Sequence, residues 1–207
     1  SLGSSHLVCR QDGAKLDARG RGAYLFTTTF AGIEQADACL MIGTDVRREA
    51  PIINARLRKR WLRGGFAVGA IGPRVDLTYK VDWLGEGTRT LEDLATGRHP
   101  FAETLKNAKK SMLILGQGAL RRTDGARVLG LARRIAENGG LMREDWNGFN
   151  VLHTAAGRVG GLDLGFVPGP GGKDVAGILD AAGKGEIEIV YLLAADEIDT
   201  KKLGKAF

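Results

Sequence analysis

Two glycine-containing turns follow apolar runs in this chain, and turns of this kind can bind a phosphate group. Gly43-Thr44-Asp45 follows the run Ala38 to Ile42, and Gly116-Gln117-Gly118 follows Met112 to Leu115. In open α/β sheets, ligands bind beyond the carboxyl ends of the strands, where glycine lets the backbone approach a phosphate closely. The candidates for lining such a crevice are therefore Gly43, Thr44, Asp45, Gly116 and Gly118.

The second turn resembles the start of the dinucleotide-binding fingerprint G-x-G-x-x-G but departs from it. The third glycine position is occupied by Arg121. The acidic residue that binds a ribose should end a second strand about twenty residues further on, whereas Glu137 falls at the end of a predicted helix. Dinucleotide binding is not predicted here.

A second glycine-rich stretch, Gly171-Gly172-Lys173, shares some features with a phosphate-binding loop. Asp174 follows the lysine at the position where Ser or Thr should hold magnesium, and Val167 stands where the first glycine belongs. A carboxylate in that place would repel phosphate oxygens. This loop does not predict a nucleotide site either.

The histidines and cysteines form no recognisable site. His6, His99 and His153 are far apart and lie in no zinc-binding motif, so a structural or surface role is expected for each. Cys9 and Cys39 form no C-x-x-C pair, and Cys39 lies in an apolar run where a buried thiol is expected. No catalytic residue and no metal ligand is predicted. Without a disulfide framework or a signal peptide, a reducing cytosol is the expected compartment.

The elements that must position the two turns alternate along the chain. Apolar runs predict four buried strands, at Ala38–Ile42, Phe66–Ile71, Met112–Leu115 and Ile187–Ala194, with a short edge strand at Leu77–Val81. Continuous apolar strands separated by helices are typical of a mainly parallel sheet covered on both faces, a doubly wound, Rossmann-like α/β fold. Helices are predicted from Pro51 to Arg63, Thr90 to Gly97, Pro100 to Ala108, after Thr123 or Asp124, around Val151 to Ala156, and from Val175 to Ala182.

The helix that begins at Pro51 carries much of the local positive charge. Ile53, Leu57 and Trp61 recur at i, i+4 and i+8 and predict an apolar stripe against the sheet. The opposite face has two interpretations: a solvated surface whose long side chains cover apolar area, or a docking surface for an acidic partner. Replacing Arg56, Arg58 and Lys59 by Glu is expected to leave the chain folded. The bases on this face are Arg56, Arg58, Lys59, Arg60 and Arg63.

Composition limits the possible partners. The chain has 207 residues, 43% of them hydrophobic, which is enough for a substantial core. The net charge of +6 is uneven, since residues 174–199 hold seven acids and one base. With 6% aromatic residues and no nucleic-acid motif, contact with other proteins is expected rather than nucleic-acid binding. No run approaches the ~20 apolar residues of a membrane span, so no membrane insertion is predicted.

One long stretch of the sequence resembles a known family closely. The stretch from Ala36 to Arg60, A-D-A-C-L-M-I-G-T-D-V-R-R-E-A-P-I-I-N-A-R-L-R-K-R, resembles the molybdopterin-oxidoreductase-type domain of the large iron–sulfur subunit, the G subunit, of respiratory complex I, the NADH:quinone oxidoreductase. The resemblance runs in collinear order from about Thr28 to Phe207. Further similar segments lie at Val75–Tyr79, Gly97–Phe101, Gly116–Gly125, Asn150–His153 and Leu192–Asp196.

The resemblance implies an electron-transfer enzyme in which this part has no cofactor. In that family, the N-terminal part of the subunit binds one [2Fe-2S] and several [4Fe-4S] clusters, which relay electrons from NADH toward quinone, and the domain seen here has lost molybdopterin. The implied partners are the other peripheral-arm subunits, on the cytoplasmic side of the bacterial inner membrane or the matrix side in mitochondria. Family members usually read G-T-N-P-R where this chain has Asp45 and Val46. A carboxylate there would disfavour a pyrophosphate-bearing pterin.

The resemblance thus predicts a non-catalytic structural domain, residues 31–207, after an irregular lead-in at residues 1–30. The chain lacks an initial methionine and is expected to be a piece of a longer protein. One alternative is the cofactor-binding domain of a true molybdopterin oxidoreductase. Another is a free-standing nucleotide-binding module, which would need a complete glycine fingerprint. Iron–sulfur cysteine spacing upstream of Ser1 would separate the first prediction from both alternatives.

Overall fold

The computed structural model describes residues 3–9, 12–195 and 198. It divides into two compact units, one of residues 15–154 and one of residues 1–14 with 155–207. This division does not fall at the boundary expected at residue 30, because residues 15–30 group with the first unit, where Ala23 and Tyr24 are buried. Asp196, Glu197 and Asp199 of the acidic stretch lie outside the described residues. Within the described ranges, no helix is long and apolar enough to cross a bilayer.

The unit of residues 15–154 is built on a five-stranded parallel sheet. The central strand β1 and its neighbour β4 are buried along their whole length, as expected for strands covered on both faces. The prediction of a parallel α/β sheet is confirmed. Its strands are β1 (Ala38–Ile42), β2 (Ala67–Ile71), β3 (Asp82–Gly85), β4 (Ser111–Leu115) and β5 (Phe149–Val151), in the spatial order β3-β2-β1-β4-β5.

The helices begin where local chemistry favours a start. Pro51 and Pro100 each occupy the first position of a helix, where the missing N–H would have no partner. Nδ1 of His99 accepts a hydrogen bond from the Phe101 N–H at 3.1 Å and caps the second of these helices. The first unit contains α1 (Thr29–Ile33), α2 (Val46–Glu49), α3 (Pro51–Leu62), α4 (Thr88–Ala95), α5 (Pro100–Asn107), α6 (Gln117–Leu120) and α7 (Gly125–Asn138), and the second unit contains α8 (Ala156–Asp163) and α9 (Val175–Gly183).

Helices cover both faces of the sheet. Successive side chains of a strand point to opposite faces, so Cys39 and Met41 of β1 share one face and their neighbours share the other. Cys39 and Met41 belong to a buried cluster with Ile53 and Leu57 of α3, which confirms the apolar stripe predicted for that helix. Helix α5 contacts β1 and β4, and α7 contacts β4. Residues of α5 and α7 are absent from the α3 cluster, so these two helices cover the opposite face.

The edge strand predicted at Leu77–Val81 is wrong. Leu77 is buried, but the next residue, Thr78, has φ +69°, a left-handed conformation that a strand cannot contain. The carboxylate of Asp76 accepts a hydrogen bond from the Thr78 N–H at 2.9 Å and stabilises this turn. The edge of the sheet is formed instead by β3, a few residues further on.

Strand β5 replaces the beginning of the helix predicted around Val151 to Ala156, and α8 begins only at Ala156. Asn150, at the centre of β5, is fully buried. Its Oδ1 accepts a hydrogen bond from the Thr28 N–H at 2.8 Å, and its Nδ2 donates to the Leu113 carbonyl at 3.1 Å. A three-residue strand with a polar centre shows no apolar run, so the pattern did not indicate it.

The fourth predicted strand, Ile187–Ala194, is also wrong for this sheet. The segment is irregular, and no strand of the described residues pairs with it. Ile187 and Val190 are half-buried, but Ile189 is 83%, Tyr191 82% and Leu193 76% exposed. Between β1 and α3, the chain forms the short helix α2, for which Asp45 is the N-cap.

The four bases of α3 and Arg63, which directly follows it, do not form one solvent-facing surface, which corrects the prediction from sequence. Arg60 is buried, with only 9% of its surface exposed. Its Nε donates to the Ala36 carbonyl at 2.6 Å, and its Nη atoms donate to the carbonyls of Gly64 at 2.7 Å and Gly65 at 3.1 Å. This guanidinium therefore ties the end of α3 to the segments that enter β1 and β2.

Two further bases of α3 and Arg63, just after it, converge on one carboxylate. Glu34, directly after α1, accepts from Lys59 Nζ at 2.9 Å, from Arg63 Nη2 at 2.8 Å and from Arg56. The hydrogen bonds from Lys59 and then Arg56 lower the pKa of Glu34 from its ordinary value of 4.5 to about 2. Arg58 is exposed. Internal pairing therefore accounts for most of the basic face.

The ion cluster should make stability depend on pH in a defined window. Glu34→Gln is expected to lower the melting temperature at neutral pH, because three cations lose their shared carboxylate. Since the folded-state pKa is depressed, the contribution is present above pH 4.5 and disappears as the pH falls to about 2. Thermal unfolding of wild type and variant across this range tests it, with exposed Glu144→Gln as control. A difference that persists at pH 2, or none at neutral pH, would contradict the cluster.

Charge reversal on α3 should depend on position rather than be uniformly harmless. Arg56→Glu places a second carboxylate beside Glu34 and is expected to lower the melting temperature. Arg58→Glu changes the net charge equally at an exposed position and should leave the melting temperature unchanged. Equal effects of the two variants in the same buffer would argue against the pairing.

Candidate functional site

The crevice candidates meet at the point where the strand order of the sheet reverses. After β1, the chain adds β2 and β3 on one side of this strand and then adds β4 and β5 on its other side. Ligands of such sheets bind at this point, beyond the carboxyl ends of the strands. Ile42 of β1 lies beside Leu115 of β4, so the turns that follow them are adjacent. The structure places the turn at Gly43 and Thr44 against Gly116 and Gly118, and Asp45 follows Thr44 in the chain.

Gly43 is required by its backbone conformation and by its surroundings. Its φ is +56°, in the left-handed region that L side chains rarely adopt. A Cβ added to Gly43 would lie 2.5 Å from the Cβ of Ala119 in α6. Its N–H donates to the Ile71 carbonyl at 2.9 Å, which continues the hydrogen bonding between β1 and β2 past the last strand residues. These contacts fit a structural role for Gly43.

The second turn packs directly against the first. The N–H of Gly116 donates to the Ile42 carbonyl at 2.9 Å. A Cβ on Gly116 would lie 2.4 Å from the Gly43 carbonyl oxygen and 2.6 Å from the Thr44 Cβ. A Cβ on Gly118 would lie 3.3 Å from the same oxygen. The two turns thus pack backbone against backbone at Gly43 and Gly116.

The polar groups of the first turn are bonded to one another. The carboxylate of Asp45 accepts from the N–H groups of Arg47 at 3.1 Å and Arg48 at 3.4 Å, at the start of α2. Glu49 accepts from the Asp45 N–H at 2.8 Å and from the Thr44 hydroxyl at 3.0 Å. Two carboxylates therefore bind the donors that a phosphate would need.

A shallow cavity of ≈ 570 Å³ lies beside this turn. Arg47 Nη1 donates to both the carbonyl oxygen and Oδ2 of Asp76, at 2.8 Å each. The Thr78 N–H and then the Arg47 guanidinium hold the pKa of Asp76 below its usual value. Paired carboxylates and guanidiniums leave little net charge to attract an anion. The cavity is lined by Asp45, Arg47, Arg48, Val75 and Asp76.

The incomplete dinucleotide fingerprint has a structural explanation. Residues 117–120 form α6, and Arg121 is its C-terminal cap. The side chain of Gln117 is buried, and its Nε2 donates to the Leu152 carbonyl at 2.6 Å. A polar side chain that holds the loop after β5 thus stands between the two glycines. Sequence reasoning missed this role, and the only signal was a polar residue next to an apolar run.

The glycine-lysine loop of the second unit is closed on itself. A Cβ on Gly172 would lie 2.2 Å from the Ser5 carbonyl oxygen, and the Gly172 N–H donates to the Gly169 carbonyl at 2.8 Å. The Asp174 carboxylate caps α9 by accepting from the Gly177 N–H at 2.9 Å. Asp174, whose carboxylate argued against a phosphate-binding loop, is therefore a helix cap.

The remaining candidate side chains have structural partners. Nδ1 of His6 accepts from the Lys173 N–H at 3.1 Å, and Nε2 of His153 lies 2.5 Å from the Tyr24 carbonyl oxygen. Cys39 is fully buried as predicted, and burial raises the pKa of its thiol far above the usual range. Among the residues that the structure describes, no three or more His, Cys, Asp or Glu side chains are grouped so as to hold a metal ion.

Comparison with known proteins assigns the family. The family model described as molybdopterin oxidoreductase matches residues 1–206. The chain belongs to the molybdopterin oxidoreductase family. This match explains why the resemblance in sequence extends over both units.

The relatives of this molybdopterin oxidoreductase domain are much longer proteins. The chain is 42% identical over 206 residues to the G subunit of the NADH-quinone oxidoreductase of Rickettsia bellii, covering 100% of the chain and 29% of the relative. It is 40% identical over 189 residues to the NADH-ubiquinone oxidoreductase 75 kDa subunit of Reclinomonas americana, covering 91% of the chain and 27% of the relative. The chain thus spans less than a third of the length of these relatives.

The contact at Gly43 can be tested by substitution with a matched control. Gly43→Ala should reduce the free energy of unfolding by roughly 2–4 kcal/mol, because strain at positive φ adds to the clash with Ala119. Gly65→Ala, at φ +61° with nothing within 4 Å of the added Cβ, should cost only the strain, about 1–2 kcal/mol.

The clash itself can be isolated by removing the opposing methyl group. In the double variant Gly43→Ala with Ala119→Gly, the two substitutions should cost less than the sum of their separate effects, because the contact at 2.5 Å is removed. Denaturant unfolding of the four proteins measures the coupling. Strict additivity, or equal costs at Gly43 and Gly65, would show that the two turns do not press on each other.

Proposed function

We propose that this chain is a domain of the iron–sulfur subunit of an NADH:quinone oxidoreductase, and that it acts there as a scaffold without molybdopterin. The assignment to the complex is supported by relatives named as the G subunit of NADH-quinone oxidoreductase and the 75 kDa subunit of NADH-ubiquinone oxidoreductase. Electron transfer from NADH toward quinone is then an activity of the whole assembly. This domain would act as a structural support, because its folded sheet would pack against the other subunits and help to position them.

The closed switch point is the observation that carries the scaffold role. A pyrophosphate-bearing cofactor needs open backbone N–H groups and space between the turns that follow β1 and β4. Here the Gly43 carbonyl oxygen lies only 2.4 Å from the position that a Cβ of Gly116 would occupy, and the N–H groups at the start of α2 are bonded to Asp45. The residues present therefore do not fit molybdopterin. The reaction of the complex is expected to proceed without a step at this site.

The chemistry of the cysteines favours redox centres elsewhere in the subunit. An iron–sulfur cluster is held by about four thiolates in close array. The chain has two cysteines, Cys9 and Cys39. Cys39 is buried in β1, where the raised pKa of its thiol opposes formation of the thiolate that a cluster requires. The [2Fe-2S] and [4Fe-4S] clusters of the subunit are proposed to lie outside these 207 residues.

The proposed partners are the other subunits of the peripheral arm of complex I. This domain would lie on the cytoplasmic side of the bacterial inner membrane, or on the matrix side in mitochondria. The alternative function, a cofactor-binding domain of a true molybdopterin oxidoreductase, would need an open switch point. The interlocked turns and the names of the relatives both favour the scaffold over this alternative.

Cofactor analysis tests the scaffold role directly. The purified 207-residue chain is expected to contain neither iron nor molybdenum, to show no pterin or flavin absorption, and to bind no NADH in calorimetry. The complete subunit should contain iron and still lack molybdenum. Metal analysis and visible spectra of both proteins measure this. Stoichiometric molybdenum or a pterin chromophore in either protein would overturn the scaffold role and restore the alternative.

Assignment to the complex needs a separate measurement. When the complete subunit is tagged in the cells that make it, NADH-oxidising, quinone-reducing activity is expected to purify with the tag. Depletion of the subunit should remove that activity from membranes. Purification of the tagged subunit without NADH-oxidising activity would contradict membership of the complex.

A further inference from the structure

The second unit leaves its most apolar segment uncovered. Residues 187–193 read I-E-I-V-Y-L-L, and Ile189, Tyr191 and Leu193 are 83%, 82% and 76% exposed. Exposed apolar side chains are ordinary when isolated, but alternate residues of one short segment form a continuous apolar edge. Such an edge loses its contact with water when another chain segment packs on it. The segment therefore favours a state in which it is covered.

The helix before this segment is also incompletely covered. Ala181 and Ala182 at the end of α9 are buried, whereas Ile178 and Leu179 are only half-buried. Gly185, with φ +74°, makes the turn from α9 toward residue 187. In a βαβ unit, the helix is followed by a turn and then by the second strand. Helix α9, the turn at Gly185 and the apolar run from residue 187 follow one another in this order. The described residues of this unit include helices α8 and α9 and contain no strand for them to cover.

We propose that residues 187–193 form an inner strand of a second parallel sheet, whose flanking strands come from the remaining part of the same polypeptide. The proposal rests on the proposed function, because it takes the chain as a domain of a longer subunit. The relatives provide the necessary length, since the chain covers only 29% of the Rickettsia bellii protein. Backbone N–H and C=O groups of the segment would pair with strands on both sides.

The side-chain pattern favours an inner strand over an edge strand. Ile187, Ile189, Tyr191 and Leu193 would point to one face, and Glu188, Val190 and Leu192 to the other. Both faces are thus apolar except at Glu188, as in parallel strands covered by helices on both sides. Antiparallel edge strands instead alternate apolar and polar residues.

The same pattern disfavours a second copy of this chain as the occupant. Pairing of identical segments across a two-fold axis supplies one antiparallel neighbour at one edge and leaves the other edge open. An inner strand needs neighbours at both edges and cover on both faces. Strands of the same polypeptide, followed by their own helices, meet both needs.

Amide hydrogen exchange tests this pairing. In the 207-residue chain, peptides that cover residues 187–193 should exchange nearly as fast as an unstructured peptide, while β1 peptides stay protected and show that the sheet is folded. In the complete subunit, purified alone, exchange at 187–193 should be slower by on the order of 100-fold. Fast exchange in the complete subunit would overturn the proposal. So would protection in the 207-residue chain that increases with concentration, because the occupant would then be a second copy.

A matched pair of substitutions locates the effect in the strand. Ile189→Lys should lower the melting temperature of the complete subunit and leave that of the 207-residue chain unchanged. Ile52→Lys, at a 63% exposed isoleucine of α3, should leave both unchanged. If Ile189→Lys has no effect in the complete subunit, the inner strand is excluded. These measurements use the isolated subunit. A negative result would therefore contradict the inner strand alone, whereas membership of the complex is tested by whether NADH-oxidising activity purifies with the subunit.

Discussion

The close approach of the backbone at Gly43 to the backbone at Gly116 sets the geometry of the carboxyl edge of the sheet. In a doubly wound fold, the turns after the two central strands diverge and leave a crevice. Here Gly43 adopts φ +56°, which carries its carbonyl oxygen over Gly116 and its Cα against Ala119 of α6. No residue with a Cβ could replace either glycine without moving one of the turns. The N-terminal ends of α6 and α2 are therefore positioned by one contact.

Charge inside the first unit is arranged around packing rather than around a ligand. Arg60 donates to carbonyl oxygens and lies with its guanidinium 5.2 Å from the ring centre of Phe66. Glu34 pairs with Arg56 and Lys59 of α3 and with Arg63 directly after it. A helix with four bases and no acid can therefore present a modest positive surface, because carboxylates and carbonyls from distant positions meet it. Clustered bases alone do not identify an anion-binding face.

Sequence patterns predicted the parts of the fold that depend on local or periodic signals. Strands β1, β2 and β4 follow continuous apolar runs, and the candidate crevice residues met because the carboxyl ends of parallel strands share an edge. The errors arose where partners distant in sequence decide the structure. Asn150 lies in a strand because Thr28 and Leu113 satisfy its amide, and Glu34 pairs with Arg56, 22 residues away. No periodicity within one helix or strand encodes either pairing.

Whether the crevice was open could not be predicted, because it depends on ångström-scale placement of backbone atoms. The glycines after β1 and β4 are equally compatible with a bound phosphate and with a backbone contact. The hydrogen bonds decide between these possibilities: the N–H groups of Gly43 and Gly116 bond to the carbonyls of Ile71 and Ile42 at 2.9 Å. They extend the ladder between the strands by one residue on each side of β1. Donors that could bind an anion are thus bonded within the sheet, and the same glycines that suggested a binding site hold the turns after β1 and β4 together.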